Sequence, residues 1–135
     1  MARIDFADYV KRITTHLFSV YNQISKSINL KLEVGKVYFD INTAIPCGLI
    51  INELLTNSLK HAFPKGESGE IWVKIEKNQD KFTVFVKDTG KGFPEDIDFL
   101  RAKTLGMQLV TDLVKQLNGR IRLDRRSGTK FKITF

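Results

Sequence analysis

Apolar residues recur at intervals of three and four over residues 5–24. Phe6, Tyr9, Val10, Ile13, Leu17, Val20, Tyr21 and Ile24 fall on one side of a predicted helix. The period then changes. From Asn29 to Val34, Leu30, Leu32 and Val34 alternate with polar residues, as in a strand with one buried face. Gly35-Lys36 predicts a tight turn and Val37 to Ile41 a second short strand. A helix is expected from Thr43, as N-cap, to about Ala62. Pro46 would then sit in its first turn, where a missing N–H does no harm, and Phe63-Pro64-Lys65-Gly66 would end it.

Glu70 to Lys77 alternates again, with Ile71, Val73 and Ile75 on one side and Trp72, Lys74 and Glu76 on the other. Asn78-Gln79-Asp80 turns the chain into the alternating run Lys81 to Lys87, so the pair predicts an antiparallel hairpin. Residues 93–104 follow neither period and read as a loop long enough to serve a function. Leu105 to Leu117 returns to helical spacing, and Asn118-Gly119 ends it. Arg120 to Asp124 and Lys130 to Phe135 are final strands around Ser127-Gly128. Strand pairs separated by helices predict a two-layer α/β (α+β) sandwich, with helices on one face of a mixed, largely antiparallel sheet.

At 135 residues the chain fits a single domain, 1–135, with an N-terminal helix in 1–28 and a core in 29–135. No apolar run approaches the roughly 20 residues of a membrane span, and no signal core follows Met1, so neither direct membrane contact nor export is expected. The single Cys47 excludes an internal disulfide and suits a reducing cytoplasm. The net charge of +7 raises the question of nucleic acid. Basic residues are interleaved with acids, and only Arg120, Arg122, Arg125 and Arg126 cluster. That distribution argues against nucleic acid and fits a polyanion such as ATP or an acidic partner protein.

Candidate chemistry lies in two segments. At about 100° per residue, Glu53, Asn57, Lys60 and His61 share one helical stripe, while Ile51, Leu55, Leu59 and Ala62 take the other side. Lys60 and His61 alone would also fit a solvated face. Asn57 is a mediocre helix former, and its amide oxygen could ligate Mg²⁺. Glu53 could orient or deprotonate a water, and Lys60 and His61 could reach phosphate oxygens. The second segment is Asp88-Thr89-Gly90-Lys91-Gly92, which ends the apolar strand Phe82 to Val86. By itself it also fits an ordinary turn. An Asp here can accept from an exocyclic amine such as adenine N6, while Gly90 and Gly92 let the backbone approach a flat ring. Thr104-Leu105-Gly106-Met107 opens a helix whose N-terminus would attract phosphate, and Gly128-Thr129 could place Thr129 beside a base.

In order and spacing these segments resemble the ATP-binding domain shared by sensor histidine kinases, gyrase, Hsp90-type chaperones and MutL-type repair proteins, the Bergerat fold. Glu53 to His61 resembles its N box, Asp88 to Gly92 its first glycine box, Thr104 to Met107 a reduced second glycine box, and Gly128-Thr129 its closing pair. The wording Asp40 to Leu54 and Leu105 to Val110 is similar to one short-lid subgroup of histidine kinases. The resemblance implies ATP and Mg²⁺ as cofactors. Asn57 would hold the metal, Asp88 would read adenine, and Gly90, Gly92 and Thr129 would shape the base pocket. Lys60 and His61 would touch phosphates, Gly106 would sit at the phosphate end, and Glu53 would join the catalytic or metal shell. The lid would span about 93–105, with Arg101 and Lys103 as further phosphate contacts.

The implied activity is transfer of the γ-phosphoryl to a histidine on a separate phosphoacceptor and dimerisation domain, for relay to a response regulator receiver domain. The chain would then be a fragment of a longer kinase. His16, beside Thr15 and Leu17, lacks the basic and Asn-rich surroundings of that subgroup's phosphoacceptor. The rivals are a stand-alone anti-sigma-factor-type serine kinase and a non-catalytic partner-binding module using the surface around helix 5–24.

Overall fold

The computed structural model describes residues 3–21, 27–63, 67–90 and 104–135. A short strand, β1 (Ile4–Asp5), leads into helix α1 (Phe6–Val20), whose first turn Asp5 caps by accepting from the Asp8 N–H at 3.2 Å. Strands β2 (Ile28–Val34) and β3 (Tyr38–Phe39) precede helix α2 (Ile41–Asn57), which continues into a wider, π-type turn over Ser58–Ala62. The hairpin β4 (Gly69–Asn78) and β5 (Lys81–Asp88) follows, then α3 (Leu105–Gln116), β6 (Arg120–Asp124) and β7 (Thr129–Thr134).

Five strands form one mixed sheet in the order β2-β4-β5-β7-β6. β2 runs parallel to β4, and the other pairings are antiparallel. A parallel neighbour needs a long crossover, and α2 occupies it. The alternation read from the sequence settles which face is covered. Ile71, Val73, Val84, Val86, Phe131 and Ile133 are buried beneath the helices, with Ile50, Ile51, Leu54 and Leu55 of α2 at the centre. α1 adds Phe6 and Val10, and α3 adds Met107, Val110 and Val114. Each such side chain contributes about 1.5–3 kcal/mol by leaving water. The expected sandwich is therefore present, with the three described helices on one face.

Two local expectations need correction. The second short strand covers only Tyr38–Phe39, and it pairs antiparallel with β1 in a separate small sheet. Asp40, not Thr43, caps α2. Its carboxylate accepts from the Thr43 N–H at 3.0 Å and its carbonyl from the Ala44 N–H at 2.8 Å. An aspartate in extended conformation caps at least as well as a threonine, so the helix starts at Ile41 and Pro46 falls beyond its first turn. The end of α3 is as expected: Asn118 is left-handed (φ 55°), and the Gly119 N–H donates to the Val114 carbonyl at 2.9 Å. Gly92, Arg101, Lys103 and most of the anticipated lid lie outside the described residues. No described helix is long and apolar enough to cross a membrane.

Candidate functional site

Asp88 ends β5 on the helix-covered side of the sheet and is 1% exposed. Burial of a carboxylate is costly unless hydrogen bonds replace water. Here Ser58 Oγ donates to Oδ2 at 2.7 Å and the Gly90 N–H donates to Oδ1 at 3.1 Å. Burial pushes the carboxyl pKa up, and the bonds from Ser58, Gly90 and the Thr129 backbone pull it back in part. No motif marks Ser58. The available signal is its position on the apolar stripe between Leu55 and Leu59, where a hydroxyl needs a partner.

Backbone closes around this carboxylate. A Cβ at Gly90 would run into the Ala62 carbonyl, and one at Gly128, itself at φ +80°, into the Asp88 carbonyl. Thr89 ties the strand end to β4, its Oγ1 accepting from the Glu70 N–H at 2.9 Å and its own N–H donating to the Glu70 carbonyl at 3.1 Å. Thr129 lies in register with Asp88 on β7. Its Oγ1 is buried and is the one such side-chain atom among the described residues with no hydrogen-bond partner. A buried hydroxyl left unpaired costs about 1–3 kcal/mol, so a ligand edge that pairs with it gains binding energy. A carboxylate acceptor, an unsatisfied hydroxyl and glycine-lined backbone together suit a planar ring that carries an amine.

The polar stripe lies at the end of α2. Glu53 and Asn57 are half-buried, and Lys60 and His61 are exposed. The Asn57 amide nitrogen sits 3.7 Å from the Met107 sulfur on α3. A Cβ at Gly106 would come within 2.9 Å of Glu53 Oε2, so the glycine lets the first turn of α3 approach the carboxylate. Thr104 caps that turn, accepting from the Met107 N–H at 3.3 Å. Lys60 and His61 depart from the uniform helix expected through Ala62. They lie in the π-type turn, where residues advance by less than the α-helical angle. Such turns are frequent at functional sites. The structure thus gathers Glu53, Asn57 and Gly106 in one group and Asp88, Gly90 and Thr129 in another. Ser58, adjacent to Asn57 and bonded to Asp88, fixes the spacing between them.

Residues 42–135 match the family described as histidine kinase-, DNA gyrase B-, and HSP90-like ATPase. The chain is 29% identical to blue-light-activated histidine kinase 2 of Erythrobacter litoralis over 123 residues, which is 90% of this chain and 35% of that protein. It is 33% identical to sensor histidine kinase YdfH of Bacillus subtilis over 98 residues, 70% of this chain and 23% of that one. The solved histidine kinase domain of the Erythrobacter litoralis blue-light activated kinase superposes with a TM-score of 0.90 at 29% identity, covering 98% of this chain and 61% of that one. The chain therefore spans about a third or less of the curated relatives it matches. It belongs to the histidine kinase-, DNA gyrase B- and HSP90-like ATPase family, as an ATP-binding domain of the sensor histidine kinase type.

Proposed function

We propose that this domain binds ATP with Mg²⁺ and presents the γ-phosphoryl to a histidine on a separate dimerisation domain, for relay to a response regulator in the cytoplasm. The observation that carries the reading is the buried Asp88 facing the unpaired Thr129 hydroxyl. Asp88 would accept from the adenine amine. Thr129 would pair with the ring edge, and Gly90, where the Ala62 carbonyl takes the place of a Cβ, would shape the wall beside it. Lys60 and His61 would meet the phosphates, with Gly106 at the start of α3. No group of three or more His, Cys, Asp or Glu side chains among the described residues could hold a metal ion. That fits an ion held mainly by phosphates and water, with Asn57 as its protein ligand. Mg²⁺, when bound, would neutralise charge on the transferring group. Glu53, next to Asn57 on the same stripe, would orient water in the metal shell. The protein's share of catalysis is positioning.

Binding is tested by thermal unfolding. At a hundredfold excess over Kd, Mg-ATP should stabilise the domain by about 2.7 kcal/mol and raise Tm by several degrees. Asp88→Asn should lower ATP affinity by about tenfold or more, since the adenine amine would then face an amide able to turn its own donors toward it. Equal shifts for Asp88→Asn and the parent would remove adenine reading from Asp88, and no shift in either would leave a binding module without nucleotide. The curated relatives are histidine kinases, which favours phosphohistidine over phosphoserine as product. Acid lability of the transferred phosphate separates the two.

A further inference from the structure

The helix-free face of the sheet carries a division of charge that the nucleotide site does not use. On the β2–β4 half, cations are matched by acids. Lys31 Nζ lies 3.8 Å from Glu70, and Lys74 Nζ lies 3.8 Å from Glu33 and 2.9 Å from Glu76. On the β5–β7–β6 half the pattern reverses. Lys87 stands directly across from Lys130, and Lys132 from Arg122. One acid lies on this half, Asp124, across from Lys130 and engaged by Arg126 through Nε to Oδ1 at 3.2 Å and a guanidinium nitrogen to Oδ2 at 3.0 Å, which leaves Lys87, Lys132 and Arg122 facing cations or rings. Like charges directly opposite one another across strands are destabilising. Aromatic rings offset part of that cost. Lys87 Nζ lies 5.0 Å from the Trp72 ring centroid, and Lys130 and Lys132 lie 4.9 Å and 5.9 Å from that of Phe85. The rings also hold the ammonium groups in place before anything binds.

We propose that this half-face is a docking surface for an acidic polypeptide segment, one presenting several Asp or Glu side chains close together. Beside it, Arg122, Asp124, Arg126, Lys130 and Lys132 line a groove of about 710 Å³, room for a few side chains. A second copy of this chain is a poor occupant, since each copy carries +7. A nucleic-acid strand fits less well than a peptide, because the lysines cover the Trp72 and Phe85 rings that bases would stack on. The basic area also spans only three strands, about 10 Å, which is short for tracking a strand. Nor is the patch an extension of the ATP site. Lys87 and Asp88 are successive residues of β5, so their side chains point to opposite faces.

The single tryptophan, Trp72, sits beside Lys87 and reports on this face directly. The chain is titrated with an oligoglutamate of about ten residues, an oligoglutamine of equal length and an oligothymidylate. Saturable change in Trp72 emission with oligoglutamate is expected, weakening as salt rises. Arg122→Glu/Lys132→Glu should weaken it by about tenfold or more. Arg122→Gln/Lys132→Gln, which avoids new charge and guards against misfolding, should weaken it several-fold. Lys11→Glu/Arg12→Glu on α1 should leave it unchanged. The proposal is overturned if oligoglutamine binds equally well, if oligothymidylate binds more tightly than oligoglutamate, or if both double variants at positions 122 and 132 keep the parent affinity.

Discussion

Asp88 holds opposing demands of stability and function in one side chain. In the proposed role its carboxylate would have to stay free to accept from a ligand, yet burial raises its pKa in the folded state. The native state then holds the proton to higher pH than the unfolded chain does. Stability contributed by this group is present below the unfolded carboxylate pKa and is lost as pH rises through the native one. At neutral pH the ionised form is a net cost. Asp88→Asn removes the charge and keeps the shape, with Ser58 Oγ free to accept from the new amide. We expect the nucleotide-free variant to melt at least as high as the parent at pH 7, with the gap closing toward pH 4. Thermal unfolding over that range checks it. A variant that melts well below the parent at pH 7 would show that the Ser58 and Gly90 bonds outweigh burial. Cys47 makes the contrast: burial alone pushes its thiol pKa up to about 12.

At the scale of elements, most of the sandwich was legible, because one-sided burial leaves a period in the sequence. The β4–β5 hairpin, the α1 and α3 faces and the end of α3 all follow from spacing and turn residues. Strand partners do not. Leu30, Leu32 and Val34 show that β2 has a buried side, but nothing in them selects β4 as a parallel neighbour. The π-type turn was hidden for a related reason: a fixed angle per residue cannot register a local widening. The candidate motifs stand out in the sequence through their resemblance to an N box and glycine boxes. Ser58, which joins them, was not, because its role exists only once β5 packs beneath α2. The start of α2 shows a choice between two plausible caps. Asp40→Ala should cost about 1 kcal/mol, within 0.5–2, while Thr43→Ala should be close to neutral. Urea unfolding of both variants decides it, and a larger loss at Thr43 would put the cap there.

For the whole molecule the question is what the domain can do without a partner. α1 is fixed against the core by Phe6, Val10, Thr14 and Leu17, and Tyr9 packs over Gly48 of α2. His16 is exposed, outside that buried stripe. Phosphoryl transfer needs the reacting atoms about 3–3.5 Å apart and in line. Within one copy, a histidine turned outward on a packed helix does not meet that condition unless α1 leaves the core and exposes those four side chains. The chain should therefore bind Mg-ATP yet acquire almost no acid-labile phosphate when incubated with γ-labelled ATP. Supplying a histidine-bearing dimerisation domain in trans should move label onto that domain alone. Rapid, stoichiometric label on the chain itself, abolished by His16→Gln, would show that α1 carries the acceptor and that the domain completes the transfer unaided.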